Sequence, residues 1–424
     1  MPHSHDHAEV APSIAKRLHG LAAAAFVLVL VLLAVSWPGR ADIGSADLGG
    51  ATTSAAVRLI EDCPTDQQVD GSSCLLVRIE PLEGEDRGQL FELPPIYNDA
   101  AGFAVGEKIV VDQVANEDAP FRYTFVDRDR KMLLWLLAGV FAVAVVLLGG
   151  LRGARAIVGL LVSIGVLGFY TMPAIIEGQP PVLVACLTAG LITFAALYLA
   201  HGFSAMTSVA VLGTLAALII TVLFGAAFIE LARFSGFASE ESFFIQAVAG
   251  EVDLHGLLLA GLVIGALGAI DDMTVTEASV VLELRSANPT LPARALFSSA
   301  MRVGRDHVAS TVNTLFLAYA GASMPLLVLF VVGNLPVSDV MNSEIVATEI
   351  VRTLVGSLGL VASVPITTLL AVWAVTRTAG AAHQPTGRPP RRRDPRTPLP
   401  HQAAEVETTP RRTLREKLRS SLDD

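Results

Sequence analysis

Charge is scarce in this chain: only 17% of its 424 residues are Asp, Glu, Lys or Arg, against about 25% in an ordinary soluble domain. Aromatic residues make up 6%, while 52% of the residues are hydrophobic. That balance argues against a free soluble protein and for a chain that lives in a bilayer. Three cysteines are too few for a disulfide scaffold. There is no GxxxxGK(S/T) phosphate loop and no HExxH zinc motif, so ATP-driven and zinc-hydrolytic chemistry lack their usual signatures. An aspartyl intramembrane protease needs two facing Asp residues deep in the membrane, and a second deep one is missing. FSGF at 234–237 is not a serine-nucleophile elbow. No enzyme activity, cofactor or metal is therefore expected. The basic stretches lack aromatic residues, which leaves nucleic acid without its stacking platform.

What the chain has instead is long apolar runs. About eight transmembrane helices are predicted, at 21–37, 132–150, 156–172, 180–200, 206–230, 254–270, 307–333 and 357–376. Lys16, Arg17, Arg152, Arg155, Arg285, Arg294, Arg302 and Arg305 fall in loops on one side of this arrangement. The short loops opposite hold only Arg233 and Arg352. The charge rule then places both termini in the cytoplasm of a bacterial-type plasma membrane. A cleaved signal peptide is the rival for 21–37, but no good small-x-small site follows directly, so a retained anchor is expected after a cytoplasmic tail at 1–20. His3, His5 and His7 in that tail alternate as in a weak metal-binding tract, or simply mark a mobile end.

Residues 38–131 read differently, with 9 Lys/Arg against 18 Asp/Glu and short Val-, Ile- and Phe-rich runs broken by Gly, Pro and Asn. This is the pattern of a small extracytoplasmic β domain, for which a five-stranded OB-like barrel is one form. Cys63 and Cys74 flank a turn-like DGSS and are expected to form a disulfide. Cys186 lies in an apolar run and reads as a small buried residue. The tail at 377–424 carries 11 Lys/Arg against 6 Asp/Glu and is rich in Pro, the composition of a disordered segment. Leu414, Leu418 and Leu422 could there line a helix on an anionic inner leaflet, a solvated tail being the plainer alternative.

The chain is organised around 257–289, LLLAGLVIGALGAIDDMTVTEASVVLELRSANP. Gly261 and Gly265 form a small-xxx-small pattern that lets helix backbones approach. At Asp271 and Asp272 the apolar run ends and a polar helical stripe begins through Thr276, Ser279, Glu283 and Ser286, until Asn288-Pro289 stops it. Thr274 and Glu277 have capping-box spacing, so part of this group could simply start a helix. Ionisable groups near membrane depth are candidate sites by default. Those near the same face are Asp271, Asp272, Glu277 and His307, the last sharing a helix face with Ser310, Thr311 and Thr314 and lying beside Asn313. At the other face Glu349 and Arg352 have the i, i+3 spacing of an ion pair, and Glu240, Glu241, Glu251, Asp253 and His255 crowd an outer loop that is either a cation-attracting vestibule or ordinary solvated surface.

GALGAIDDMTVTEAS, then GRDHVASTVNTLFLAYAGASMP and EIVRTLVGSLGLVASVPITT, together resemble the YibE/F family of multi-pass membrane proteins, over roughly residues 40 to 376. Asp272 takes the Asp of the family's GAI-x-D pattern, whereas Asp271 takes a position often apolar elsewhere. The resemblance implies a permease-like integral membrane protein and supplies no substrate. Two functions are therefore expected. One is secondary transport of a small solute or ion with Asp272 and His307 near the inner end of the path. The other is a non-transporting scaffold or sensor whose β domain binds an envelope partner. Asp272, His307 and Asn313 around a water-accessible cavity would favour the first. The lipid bilayer is the expected surrounding, with homo-oligomerisation left open.

Overall fold

The computed structural model describes residues 10–39, 52–63, 74–97, 102–114, 120–238, 240–250 and 252–382, with side chains as far as Arg377. His3, His5, His7, Glu251 and the leucines of the basic tail lie outside these residues. The first helix, α1 (Pro12–Val35), starts before the apolar run does. Pro12 sits in its first turn, where a missing N–H costs nothing. Ile14, Leu18 and Ala22, one turn apart, are buried against the helices that follow.

Six strands form one antiparallel sheet: β1 (Thr52–Asp62), β2 (Cys74–Pro81), β3 (Phe91–Glu92), β4 (Ile96–Tyr97), β5 (Lys108–Gln113) and β6 (Tyr123–Arg128). The order is β3-β2-β1-β5-β6, with β4 also on β2. Inward residues Val57, Val77, Ile79, Ile109 and Val111 make its core. The sheet rolls until its two ends meet through side chains. Phe91 and Tyr123 rings lie 5.0 Å apart, and Asp86 accepts from Tyr123 Oη (2.7 Å) and Arg122 Nε (2.8 Å). Among the described residues no backbone ladder closes it, so a five-stranded OB-like barrel is the finer detail that is not seen. Cys63 and Cys74 are joined by a disulfide, Cα to Cα 5.3 Å, across the β1–β2 connection.

From Lys131 the chain is helical. α2 (Lys131–Val166) reverses at Gly150, whose φ of 56° and ψ of −135° glycine adopts without strain. A Cβ on Gly153 would overlap the Val145 carbonyl, which shows how closely the two arms meet at the turn. A π-helical turn at Leu167–Thr171 leads to α3 (Met172–Ile176). Then come α4 (Pro181–His201), α5 (Ala205–Ala232), α6 (Glu240–Val248), α7 (Leu254–Ala287), α8 (Ala293–Ala322), α9 (Met324–Val332), α10 (Val337–Asn342) and α11 (Glu344–Ala382). Six helices are long and apolar enough to cross a membrane, and α8 with α9, bent by 59°, would add a seventh if the pair is one span. Pro325 opens α9 and cannot continue the hydrogen-bond ladder of α8, which accounts for the bend. The expected span at 307–333 therefore begins earlier, at Ala293, and breaks at Ser323.

α5, α7 and α11 pack together at the centre, with α4 and α8 alongside. Threonine-into-glycine contacts draw α5 and α11 together. A Cβ on Gly213 would overlap Thr367 Oγ1, and one on Gly359 would overlap Thr221 Oγ1. Such close approach is how helices associate where lipid is as apolar as the side chains. Gly261 and Gly265 serve another purpose than the expected backbone contact. They make room for polar side chains, Arg352 of α11 and the Tyr319 hydroxyl of α8. Cys186 corrects the expectation of burial, being exposed on α4.

Candidate functional site in the membrane bundle

α7 continues without a break through Asp271, Thr274 and Glu277, so Thr274 and Glu277 do not start a helix. The N-terminal end of α7 is capped by Asp253, whose Oδ1 accepts from Gly256 N at 3.0 Å. That gives Asp253 of the acidic outer loop a structural task. At its C-terminal end Arg285 Nη1 donates to the Leu291 carbonyl (2.8 Å), closing the turn into α8.

Of the four carboxylates of α7, Glu283 is exposed and the other three meet different surroundings. Asp271 points between α4 and α5. Its Oδ1 accepts from Thr193 Oγ1 (3.3 Å), and the Thr214 hydroxyl also faces it. Thr214 in turn shares a hydrogen bond with Thr274 (2.8 Å), which donates to the Asp271 carbonyl (3.0 Å). Asp272 is exposed. Both line a groove of about 490 Å³ between α2, α4 and α7, with Ser163, His201 and Thr276. His201 ends α4 within electrostatic reach of Asp272 and of Arg152 at the α2 turn. Carboxylates, hydroxyls and an imidazole thus gather in a groove whose walls are otherwise mostly apolar, a combination that can bind a small cation or hydrogen-bonding solute.

Glu277 lies about 140° around the helix from Asp272 and faces α8 and α11. It is wholly buried. Thr368 Oγ1 donates to its Oε2 at 2.7 Å, while Oε1 has no hydrogen-bond partner among the described residues. Gly304 of α8 lies directly against that oxygen, and His307 is near enough to interact with the carboxylate by charge. A buried carboxylate with one free oxygen is costly and has a proton or a cation as its natural relief.

Asp272 and His307 are thus placed on different sides of α7. His307 is half-buried towards Glu277, and Asn313 is exposed on α8. Neither lines the groove. Ser279, Glu283, Ser310 and Thr314 are also exposed. Near the start of α11, Arg352 Nη1 bonds Glu349 Oε1, with Tyr319 in electrostatic reach of both. Among the described residues no three His, Cys, Asp or Glu side chains are close enough to hold a metal ion.

His201, Thr193, Thr214 and Thr368 escaped the sequence reading. An ionisable residue ending an apolar run was the available signal for His201. The threonines gave none, because threonine is ordinary in such helices.

No curated protein and no solved structure matches the chain. A family model described as YibE/F-like protein matches residues 137–377, more than half of the chain and all four α7 carboxylates. The match starts after the β domain, so it covers less than the span of roughly 40 to 376 over which the likeness was read. These features make the chain a helical membrane protein, and it belongs to the YibE/F-like family.

Proposed function

We propose that this protein is a carrier, not an enzyme, that moves a small solute or ion by secondary transport. In this reading the groove between α2, α4 and α7 is the inner part of the path. The observation that carries it is Asp271, a carboxylate set among threonine hydroxyls at the wall of a groove, with Asp272 and His201 at the same opening. Such groups at membrane depth mark substrate or ion pathways more often than plain packing. The chain has eight spans here, counting the two arms of α2 separately and α8 with α9 as one. Both termini are cytoplasmic and the β domain is outside the plasma membrane. The arginines of the α2 turn, Arg152 and Arg155, and those of the α7–α8 side support that orientation.

The test is flux into proteoliposomes holding the full chain, with an entrapped pH dye and with labelled sodium, potassium and small carboxylates outside. Flux above that of empty liposomes, abolished by Asp271→Asn in a protein of unchanged thermal stability, is expected. Equal flux in wild type and variant would remove Asp271 from the path, and no flux for any solute would remove transport. A scaffold is the second reading, favoured by one observation. The arm of α2 at 131–149 leaves nearly every side chain uncovered, Trp135 and Leu148 among them. On that reading a membrane partner crosslinks to this arm equally in wild type and Asp271→Asn.

A further inference from the structure

α1 lies outside the family-matched segment, yet between it and α4 runs a second groove of about 500 Å³. Its walls are almost wholly apolar. Ala22, Ala23 and Phe26 face it from α1, and Leu191, Phe194 and Ala195 from α4. From His19 to Phe26 it follows α1 for about 10 Å at 1.5 Å per residue. One wall is a ladder of stacked rings: Phe194 lies on Tyr198 (centroids 6.3 Å apart) and Tyr198 on Phe203 (4.7 Å). Phe203 ends the ladder at the α4–α5 turn and is 86% exposed.

Polarity is confined to one end. His19 Nδ1 and Tyr198 Oη each lie 2.9 Å from Ser208 Oγ, tying α1, α4 and α5 together. These polar atoms are thereby used, and ring carbon lines the groove beyond them. One turn nearer the N-terminus, Lys16 shares a helix face with His19 and Ala23. It is exposed and makes no ion pair among the described residues. An apolar channel ending beside an unpaired cation is complementary to one kind of molecule, a hydrocarbon chain with an anion at its end. Basic sites between helices on the cytoplasmic side hold anionic headgroups by the same chemistry.

We propose that the α1–α4 groove holds one acyl chain of an anionic inner-leaflet phospholipid, its phosphate paired with Lys16. The lipid then joins the N-terminal anchor to the family-matched bundle. Full-length protein, stripped of lipid in detergent, is titrated with dioleoylphosphatidylglycerol or dioleoylphosphatidylcholine. Bound lipid is counted by native mass spectrometry, with thermal unfolding in parallel. Wild type is expected to prefer the phosphatidylglycerol about fivefold, the contribution of one basic residue at an anionic surface. Lys16→Gln should bind both lipids equally, and Ala195→Phe, which fills the groove, should lose the bound lipid. If Ala195→Phe does not fold, Lys16→Glu replaces it and should bind the phosphatidylglycerol less well than the phosphatidylcholine. Equal binding of the two lipids by wild type overturns the proposal, as does a preference that survives Lys16→Gln and Lys16→Glu. So does either rival occupant: a dimer lost in Ala195→Phe, or lipid binding that appears only after residues 383–424 are removed.

Discussion

Gly304→Ala puts the packing around Glu277 to a quantitative test. A methyl group there would overlap Glu277 Oε1 and come within 2.7 Å of Val364 Cγ1. The carboxylate cannot swing away freely, because Thr368 holds its other oxygen. Overpacking of a tight interior costs about 1–3 kcal/mol. Replacing Gly by Ala within a helix returns about 0.5–1 kcal/mol. Those figures differ by roughly 0–2.5 kcal/mol, and at their midpoints the steric effect wins by about 1 kcal/mol. For a domain of this size each kcal/mol lowers the midpoint by about 2–4 °C. The assay is thermal unfolding of purified full-length protein in detergent. Gly139→Ala in α2 is the control, since nothing lies within 4 Å of a Cβ there, and it should be neutral or slightly stabilising. A cycle with Glu277→Ala should show coupling above about 0.5 kcal/mol, the lower bound for residues in contact. If Gly304→Ala is as stable as Gly139→Ala, α8 does not press on Glu277 and the reasoning fails.

Two further predictions concern the β domain. Cys63→Ser with Cys74→Ser opens a loop with a sequence separation of 11 residues, and the chain-entropy model assigns such a loop roughly 2–3 kcal/mol. The double variant should therefore unfold its β domain at lower denaturant, as should wild type under reductant; identical midpoints would refute a stabilising bridge. Burial, and then the hydrogen bond to Asp86, raise the Tyr123 phenol above its usual value of 10.0. Because the folded value is raised, its stabilisation is present below pH 10 and is lost as pH climbs through the folded value. A late component in the alkaline absorbance titration, missing from Tyr123→Phe, is the expected result, and a titration unchanged by that substitution would contradict it.

The sequence disclosed the helices better than their neighbours. Apolar runs longer than a bilayer needs are visible without any partner, and Asn288 ends α7 where its own pattern stops. α8 was the exception. Its first turns bury only Leu296, Ala300 and Gly304, a narrow i, i+4 stripe among arginines that hydropathy alone passes over. Azimuth was harder still. Asp271 and Asp272 differ by one residue, or about 100°, and which of them turns inward depends on where α4 and α5 lie. Gly304 and Thr368 carry no local mark either. Their importance comes from Glu277, which is 91 positions from Thr368 along the chain.

The length of α7 explains why its carboxylates divide as they do. Its 34 residues measure about 51 Å, well beyond the roughly 30 Å of hydrocarbon a bilayer offers. On the proposed orientation, with hydrocarbon beginning at the Asp253 cap, about 20 residues cross that thickness, which would bring Asp271 and Asp272 to the cytoplasmic boundary. Glu277 lies more than a turn beyond them, and on the same placement it would sit where lipid no longer excludes water. Its burial is supplied by α8 and α11, through Gly304 and Thr368. The two sites should therefore answer differently to their surroundings. Asp271 and Asp272 should respond to what enters the groove they line. Glu277 senses whether α8 and α11 stay closed over it, and any movement of α8 that admitted water would remove the cost of its charge. That gives α7 one face able to bind a solute and another able to register the arrangement of the bundle, joined by less than two helical turns.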